Sequence, residues 1–417
     1  MTNRNSIDHA TMRDTNLALI LNSIRSHAPL SRAALAAKTG LNKATVSSLV
    51  KDLLKAGWVR EVGIDNSAAE VGRPAINLEP NPEAGYFIGA EIGVNFISVI
   101  IANFAIEIIS RRYESTDKLY DQEAILKRFI YLLGESRDQI VRSGKPLFGI
   151  GVGVPGLVDA STGKLLIAPN LGWHEVELGR IIQREFVAPI FIANEANMAA
   201  LGESYFGAGQ DINYMIYISS GVGLGGGIVS NGRLEEGATG FAGEVGHIIV
   251  DRDGPACNCG SHGCWETVAG EKALFERIRL AMIEDEECLL AEMTGGDPDR
   301  VTLSSIAMAA DKGGQIACEA LRETAEWLGI GISSLMNILN PERVVFGGSL
   351  SIAHEHLLPV IQKTVEERTW DWVHNQATIV MAEFGQDAAV IGGVAMVYRE
   401  LLNQPRKWLN AAISESA

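Results

Sequence analysis

Residues 246 to 266 read GHIIVDRDGPACNCGSHGCWE and hold three of the chain's five cysteines and two of its eight histidines. Side chains of these types at this spacing suit a disulfide knot, a catalytic metal centre, or a closed metal clamp that shapes its surroundings. The compartment bears on the choice. The chain opens with the polar run MTNRNSIDHA, which has neither the basic start nor the apolar core of a secretory signal, and it holds no 18 uninterrupted apolar residues. These features predict a cytoplasmic protein with no membrane partner. Thiols stay reduced there, so closely spaced cysteines read as metal ligands rather than bridges. Cys288 and Cys318 lie apart in helix-like surroundings and are expected to be ordinary semi-buried thiols.

The elements that must position such a site begin with a charge asymmetry. The 417 residues, 47% apolar, allow two or three domains with substantial cores. Residues 1–80 carry ten Lys/Arg against seven Asp/Glu, a net of +3, which leaves −19 of the total −16 on the other 337 residues. A small domain suited to a polyanion, joined to a large acidic body, is the expected division.

In the basic segment, Leu17, Ile20, Leu21 and Ile24 fall at i, i+3, i+4, i+7, the stripe of an amphipathic helix that Pro29 ends. Ser31 is placed to cap a second short helix, SRAALAAKTG, whose Gly40 suits a tight turn, and Asn42 to cap a third with Val46, Leu49, Val50, Leu53 and Leu54 inward. Three helices joined this tightly form a helix-turn-helix. The third would enter a DNA major groove, with Lys43, Thr45, Ser47 and Ser48 facing base edges or phosphates and Lys51 and Lys55 following the backbone. WVREV and PAINL read as two strands of a wing whose tip carries Arg73, placed for a minor groove. A protein-interaction module of three helices is the competing reading. The boundaries expected are a winged helix-turn-helix over 1–80, a linker over 81–85, and the body from 86.

In that body, YFIGAEIG, FISVIIANF and AIEIISRRYE are β-rich runs, QEAILKRFIYLLGESRDQIVRSG is an amphipathic helix, and LFGIGVGVPG is an apolar strand. YMIYISS, GLGGGIVSNG and GHIIVD, then helices, then RVVFGG repeat the theme. Two related α/β lobes with a cleft between them follow, over 86–200 and 201–417, with the last helix returning to the first lobe.

ISSGVGLGGGIVSNGRLEEGATGFAGEVGH followed by CNCGSHGCWE, together with LNPERVVFGGSL, resembles the ROK family of repressors, open reading frames and sugar kinases. The resemblance runs along almost the whole chain. It implies a fold of two actin-like ATPase or ribonuclease H-like lobes preceded by an all-α winged helix-turn-helix domain. Within this frame His247, Cys257, Cys259 and Cys264 make one imidazole and three thiolates, a closed tetrahedral set for structural zinc with no place for water. His262 is a competing ligand, expected instead to face solvent. Fixing the metal ligands also fixes Glu244, three residues before His247, and Glu266, two after Cys264.

Ionised carboxylates accept strong, directional hydrogen bonds from sugar hydroxyls. The resemblance implies sugar contacts at Asn194, Glu195, Glu244, His247 and Glu266, with Gly156 and Asn170 in segments lining the same cleft. As plain structural residues, Asn170 caps a turn and Gly156 permits one.

Family kinases carry an aspartate base where this chain has Glu195, and a methylene's displacement of ~1 Å can cost on the order of 10²-fold in rate. Where they read Asp-x-Gly-Gly-Thr, this chain reads Glu91, Ile92, Gly93, Val94, Asn95. Branched Val94 hinders close approach of backbone amides to phosphate, and loss of the aspartate at Glu91 disturbs the carboxylate expected on the magnesium side. The second glycine run, Gly221, Gly223, Gly225, Gly226 and Gly227, is intact, and suits either a nucleotide or a tight hairpin. The expectation is a non-enzymatic repressor of sugar-utilisation genes, a homodimer or tetramer released from double-stranded operator DNA by an aldose. The Asn-Glu-Ala-Asn form is most similar to the xylose-repressor branch, which implies xylose, with glucose or another aldose behind it. An ATP-dependent, glucokinase-like sugar kinase is the alternative.

Overall fold

The protein is described from a computed structural model that covers residues 9–65, 75–119 and 121–409. Helices α1 (His9–His27), α2 (Arg32–Thr39) and α3 (Lys43–Lys55) form the amino-terminal domain with strands β1 (Leu30–Ser31), β2 (Val59–Asp65) and β3 (Ala75–Pro80). The caps stand where the side-chain chemistry puts them: Ser31 accepts from the Ala34 amide, Asn42 accepts from the Thr45 amide, and Gly40 takes φ 71°. The stripe of α1 is buried with Val46, Leu49, Val50 and Leu53, while Leu54 is only half-buried. The short β1 was not expected; it pairs with β3 and makes the wing sheet three-stranded, in the order β1-β3-β2. The wing tip with Arg73 lies outside the described residues.

The first lobe contains β4 (Tyr86–Ile92), β5 (Phe96–Asn103), β6 (Ile108–Ser115), α4 (Gln122–Ser143), β7 (Leu147–Val154), a small three-stranded sheet of β8 (Leu157–Asp159), β9 (Lys164–Ala168) and β10 (Trp173–Val176), α5 (Leu178–Gln183), and β11 (Ile190–Asn194). Helix α6 (Glu195–Phe206) leads into β12 (Tyr214–Ser220), β13 (Leu224–Ser230) and β14 (Arg233–Leu234), then α7 (Trp265–Ala269), α8 (Glu271–Glu284), α9 (Leu289–Thr294), α10 (Leu303–Asp311), α11 (Gln315–Leu339), β15 (Arg343–Gly347), α12 (His354–Arg368), α13 (Asp371–His374), β16 (Thr378–Met381) and α14 (Ala388–Asn403). The two large sheets have one plan, β11-β7-β4-β5-β6 and β14-β13-β12-β15-β16. In each, the first strand in sequence sits at the centre, pairs antiparallel with the second, and pairs parallel with the fourth.

Helix α4 covers one face of the first sheet through Leu126, Phe129, Leu132 and Leu133. The last helix, α14, covers the other face at backbone contact. A Cβ added to Gly89 would fall 1.9 Å from the Val390 carbonyl oxygen, and one on Gly151 would fall 2.1 Å from that of Gly393. Helices α14 and α6 cross as closely, since a Cβ on Gly392 would lie 1.8 Å from the Met198 oxygen. Only glycine permits such approach.

Three expectations need correction. The boundary between residues 200 and 201 falls inside α6, which packs on α14 on one side and on β12 and β13 on the other, so the lobes share this helix. Residues 81–85 are not a loose tether: Pro82–Ala84 form a single 3-10 turn, and Asn81 donates to the Gly57 carbonyl at 2.6 Å. Beside it Trp58 packs against Phe104 and Phe148 at 5.5 and 6.0 Å between ring centroids, which merges the core of the amino-terminal domain with that of the first lobe. Finally, GHIIVD is not a ladder strand. It is a 3-10 turn, Val245–His247, followed by single bridges, because its amides and carbonyls are spent on the cysteine loop, as in Trp265 N–H to Ile248 O at 2.8 Å.

Candidate functional site

His247 closes its 3-10 turn, Cys257 and Cys259 lie on the loop, and Cys264 stands directly before α7. The loop is shaped by backbone bonds such as Cys257 N–H to Ser261 O at 2.8 Å, and by Gly263, φ 64°, where a Cβ would meet the Asp251 oxygen at 1.6 Å. These constraints bring one donor atom from each of His247, Cys257, Cys259 and Cys264 to within 4.8 Å of one another. His247 Nδ1 is 3.6 Å from Cys257 Sγ, and Cys259 Sγ is 3.6 Å from Cys264 Sγ. Zinc bonds of about 2.0 Å to nitrogen and 2.3 Å to sulfur imply tetrahedral edges of roughly 3.5 to 3.8 Å, which these two separations match, and one imidazole with three thiols is a donor set that suits that ion. His262 is exposed and outside the group. No disulfide joins the cysteines. Burial pushes the Cys257 and Cys264 thiols above their usual range, so a cation is what would hold both as thiolates here.

His247 also stands between two carboxylates: Glu244 Oε2 lies 3.8 Å from its Nε2, and Glu266 Oε1 lies 3.7 Å from its Nδ1. Across the cleft, Asn194 caps α6 by accepting from the Ala196 and Asn197 amides at 2.8 and 3.2 Å, and its Nδ2 donates to the Gly156 carbonyl at 3.1 Å. Gly156 has φ 97°, and a Cβ there would fall 2.1 Å from the Ile167 oxygen, so this glycine is what lets its carbonyl reach Asn194. Glu195 opens α6. Its Oε2 is sealed from solvent with no hydrogen-bond partner, and burial, with Glu244 adding repulsion, raises its carboxyl to about 8. Burial likewise raises Glu244, partly offset by His247.

A cavity of about 170 Å³ is lined by Gly156, Asn194 and Glu244 among the expected residues. Asn170, Glu195, His247 and Glu266 are not among the residues that line it; Glu266 Oε2 and Asn170 Nδ2 come together beside Gly223, within 3.2 and 3.3 Å of where its Cβ would stand. Asn197, Glu236, Phe241 and Arg399 also line the cavity and were not singled out from the sequence. Asn197 was readable, since it follows Asn194 by three residues and shares its helix face. Arg399, some two hundred residues away on α14, carried no local signal.

The turn between β4 and β5 is tightly packed. The Gly93 amide donates to the Phe96 carbonyl at 2.8 Å, and the Phe96 ring lies 2.3 Å from where a Gly93 Cβ would be. Glu91 is 7% exposed, and burial, then Glu195 and Asp387, raise its carboxyl to about 8, so at neutral pH it is mostly uncharged. In the second glycine run, Gly225 and Gly227 admit Ala196 and Ala200 of α6, and Gly226 admits Val245. Their smallness serves the packing of the β12–β13 hairpin. On α3, Lys43, Ser47, Ser48, Lys51 and Lys55 are exposed and Thr45 is half-buried, opposite the buried stripe.

Among the described residues no helix is long and apolar enough to cross a membrane. The ROK family model matches residues 87–400 and the MarR family model residues 18–65. The chain is 36% identical over 398 residues to the xylose repressor of Caldicellulosiruptor bescii, across 95% of this chain and 99% of that protein. It is 35% identical over 319 residues to a glucokinase of Halalkalibacterium halodurans, across 76% of this chain and 96% of that one. A crystal structure of a ROK family transcriptional regulator, a homologue of the E. coli MLC protein, superposes with a TM-score of 0.79 at 26% identity, covering 97% of this chain and all of that one. The glucokinase match covers about three quarters of this chain, whereas the two regulators match nearly end to end. The chain is a member of the ROK family: a winged-helix domain of MarR type set before two lobes of the actin-like sugar-kinase fold.

Proposed function

We propose that this chain is a transcriptional repressor of sugar-utilisation genes that an aldose, xylose first, releases from operator DNA. The observation that carries the reading is that one chain joins an exposed basic and hydroxyl face on α3 to a carboxylate-lined cleft, while the turn a triphosphate would need is closed by Phe96. The end-to-end likeness to a protein named xylose repressor supports both the DNA-binding role and the first choice of sugar.

In this reading Asn194, Glu195, Glu244, His247 and Glu266 bind hydroxyls, with Asn170 and Gly156 shaping the wall. Sugar held between α6 of the shared helix pair and the metal loop of the second lobe favours one angle between lobes. In a homodimer or tetramer this angle sets the separation of two amino-terminal domains, and half-sites about 34 Å apart tolerate little change. Zinc on His247, Cys257, Cys259 and Cys264 would supply rigidity. It would hold His247 and Glu266 at fixed places. Lys43, Thr45, Ser47 and Ser48 would read the major groove, Lys51 and Lys55 the backbone, and Arg73 the minor groove.

We read the chain as having no kinase activity. Beyond Glu195 and Val94, the Phe96 carbonyl occupies the Gly93 amide that would otherwise be free for a phosphate. The test is a polarisation titration against DNA upstream of the gene, at low and moderate salt, with xylose, glucose and no sugar, beside a turnover assay with ATP and the same aldoses. Tight, salt-dependent DNA binding weakened by xylose supports the proposal. No DNA binding at low salt, or rapid sugar phosphorylation, overturns it.

A further inference from the structure

Arg25, on the last turn of α1, has no carboxylate within salt-bridge distance among the described residues. Its guanidinium lies over two rings instead, 4.9 Å from the centroid of Phe206 and 5.8 Å from that of Tyr398. Asn22 and Ser26 of its own helix fix its orientation, accepting from Nη2 at 3.2 and 2.7 Å. Phe206 is the final residue of α6, whose first residue is Glu195 in the sugar cleft, and Tyr398 belongs to α14. The twelve residues of α6 span about 17 Å at 1.5 Å per residue. One end of this rod meets the ligand, the other meets the DNA-binding domain.

Other ties join that domain to the body. Asp14 pairs with Arg406, and Trp58 packs on Phe104 and Phe148; these reach only the first lobe and the chain after α14. A third, His27 Nε2 at 4.0 Å from Asp211 Oδ2, lands on the segment that leads out of α6, so it follows that helix. Helix α6 alone also packs on β12 and β13 of the second lobe, so it is the element that a change of lobe angle must displace. Its far end is braced: buried Glu203 accepts from the amides of Ala208, Glu383 and Phe384 at 2.8, 3.1 and 3.0 Å, which carries movement of α6 into the approach to α14. At the same junction His27 Nδ1 and Trp58 Nε1 are buried without a hydrogen-bond partner.

We propose that Arg25, seated on Phe206 and Tyr398, is the positioning residue that transmits sugar occupancy from α6 to the DNA-binding domain. This rests on the repressor reading above. A cation held on ring faces suits the task, because the ring quadrupole attracts it over a range of tilts while losing it on lateral sliding.

The experiment measures xylose affinity with and without operator DNA in the full chain, for the unmodified protein and for Arg25→Ala, Arg25→Lys and Phe206→Leu. The unmodified protein is expected to show a coupling of tenfold or more between the two ligands. Arg25→Ala and Phe206→Leu should keep each separate affinity within about threefold yet reduce the coupling below threefold, and Arg25→Lys should restore part of it. Full coupling in both Arg25→Ala and Phe206→Leu overturns the proposal, as does a loss of coupling no larger than the loss of either separate affinity. Should Arg25→Ala unfold, Arg25→Lys and Phe206→Leu decide by the same criterion. Failure of the repressor reading itself appears in the unmodified chain, as absence of DNA binding or of any sugar effect.

Discussion

Asp14 and Arg406, 392 residues apart, meet in a two-pronged ion pair, with Nε to Oδ1 at 2.8 Å and Nη2 to Oδ2 at 2.7 Å. It ties the first helix of the DNA-binding domain to the segment after the last helix of the body. The Arg406 hydrogen bonds hold the Asp14 carboxyl below its usual value of 3.8. Its stabilisation is therefore present above that value and is lost as pH falls through the lower native one. With the side chains 36% and 24% exposed, screening reduces the pair to about 1 kcal/mol. Asp14→Asn should lower unfolding free energy by that amount at pH 7 and by nothing near pH 2. Equal losses at both pH values would contradict the assignment.

Glu91 behaves in the opposite sense. Its carboxyl is raised from 4.5 to about 8, chiefly by burial. The neutral form is favoured in the native state, so stability is full below the unfolded value and declines as pH rises through about 8. Glu91→Gln should nearly match the unmodified protein at pH 5 and be more stable at pH 9 by roughly 3 to 5 kcal/mol, each pKa unit of difference being about 1.4 kcal/mol. Thermal melts at the two pH values measure this.

The Glu195 carboxyl is likewise raised to about 8, chiefly by burial. In the proposed reading sugar hydroxyls donate to its ionised carboxylate, so binding would require the proton to leave. Xylose affinity should strengthen about tenfold per pH unit from 6 toward 8 and then level, by proton linkage. Calorimetric titration of the unmodified protein and of Glu195→Gln checks it, and the variant should bind weakly with a flat profile. A flat profile in the unmodified protein would remove Glu195 from the contacts.

Metal analysis should find one zinc per chain, absent in Cys259→Ala. Removing the ion with a chelator frees His247 and the start of α7, which carries Glu266. Xylose affinity should then fall at least about tenfold, in the range typical of losses at metal-supporting residues, while binding of DNA without sugar changes little. Unchanged sugar affinity in the metal-free protein would separate the clamp from the cleft.

Gly392→Ala puts a methyl 1.8 Å from the Met198 oxygen, where two helix backbones touch. Because neither backbone can yield, the cost should reach or exceed about 1 to 3 kcal/mol. Denaturant unfolding reads it directly, and a change under 0.5 kcal/mol would mean that the α6–α14 crossing is looser than described.

Much of this was readable beforehand because it rests on local chemistry. Ser31, Asn42 and Gly40 mark helix ends through their own side-chain oxygens or permitted φ, so the helix-turn-helix follows from neighbouring residues. The metal set was readable because three ligands lie on one loop and the fourth is close by. GHIIVD misled because its alternation imitates a strand while its backbone groups serve the cysteine loop. Arg399 and the Phe96 ring over Gly93 entered the cleft and its turn without notice, since alternation and helical periodicity report burial and not which cavity a buried side chain borders.

From residue order alone came the class of most of the long elements, the duplicated α/β plan, the basic amino-terminal domain, and the chemistry available to the carboxylates and thiols. All of these depend on forces between residues close in sequence or on the period of a single element. The fusion of the two domain cores through Trp58, the sharing of α6 between lobes, and the seat of Arg25 on Phe206 and Tyr398 were decided by tertiary packing. Such contacts join elements hundreds of residues apart, and their partners are chosen by shape and backbone clearance at a crossing, for which no local pattern stands.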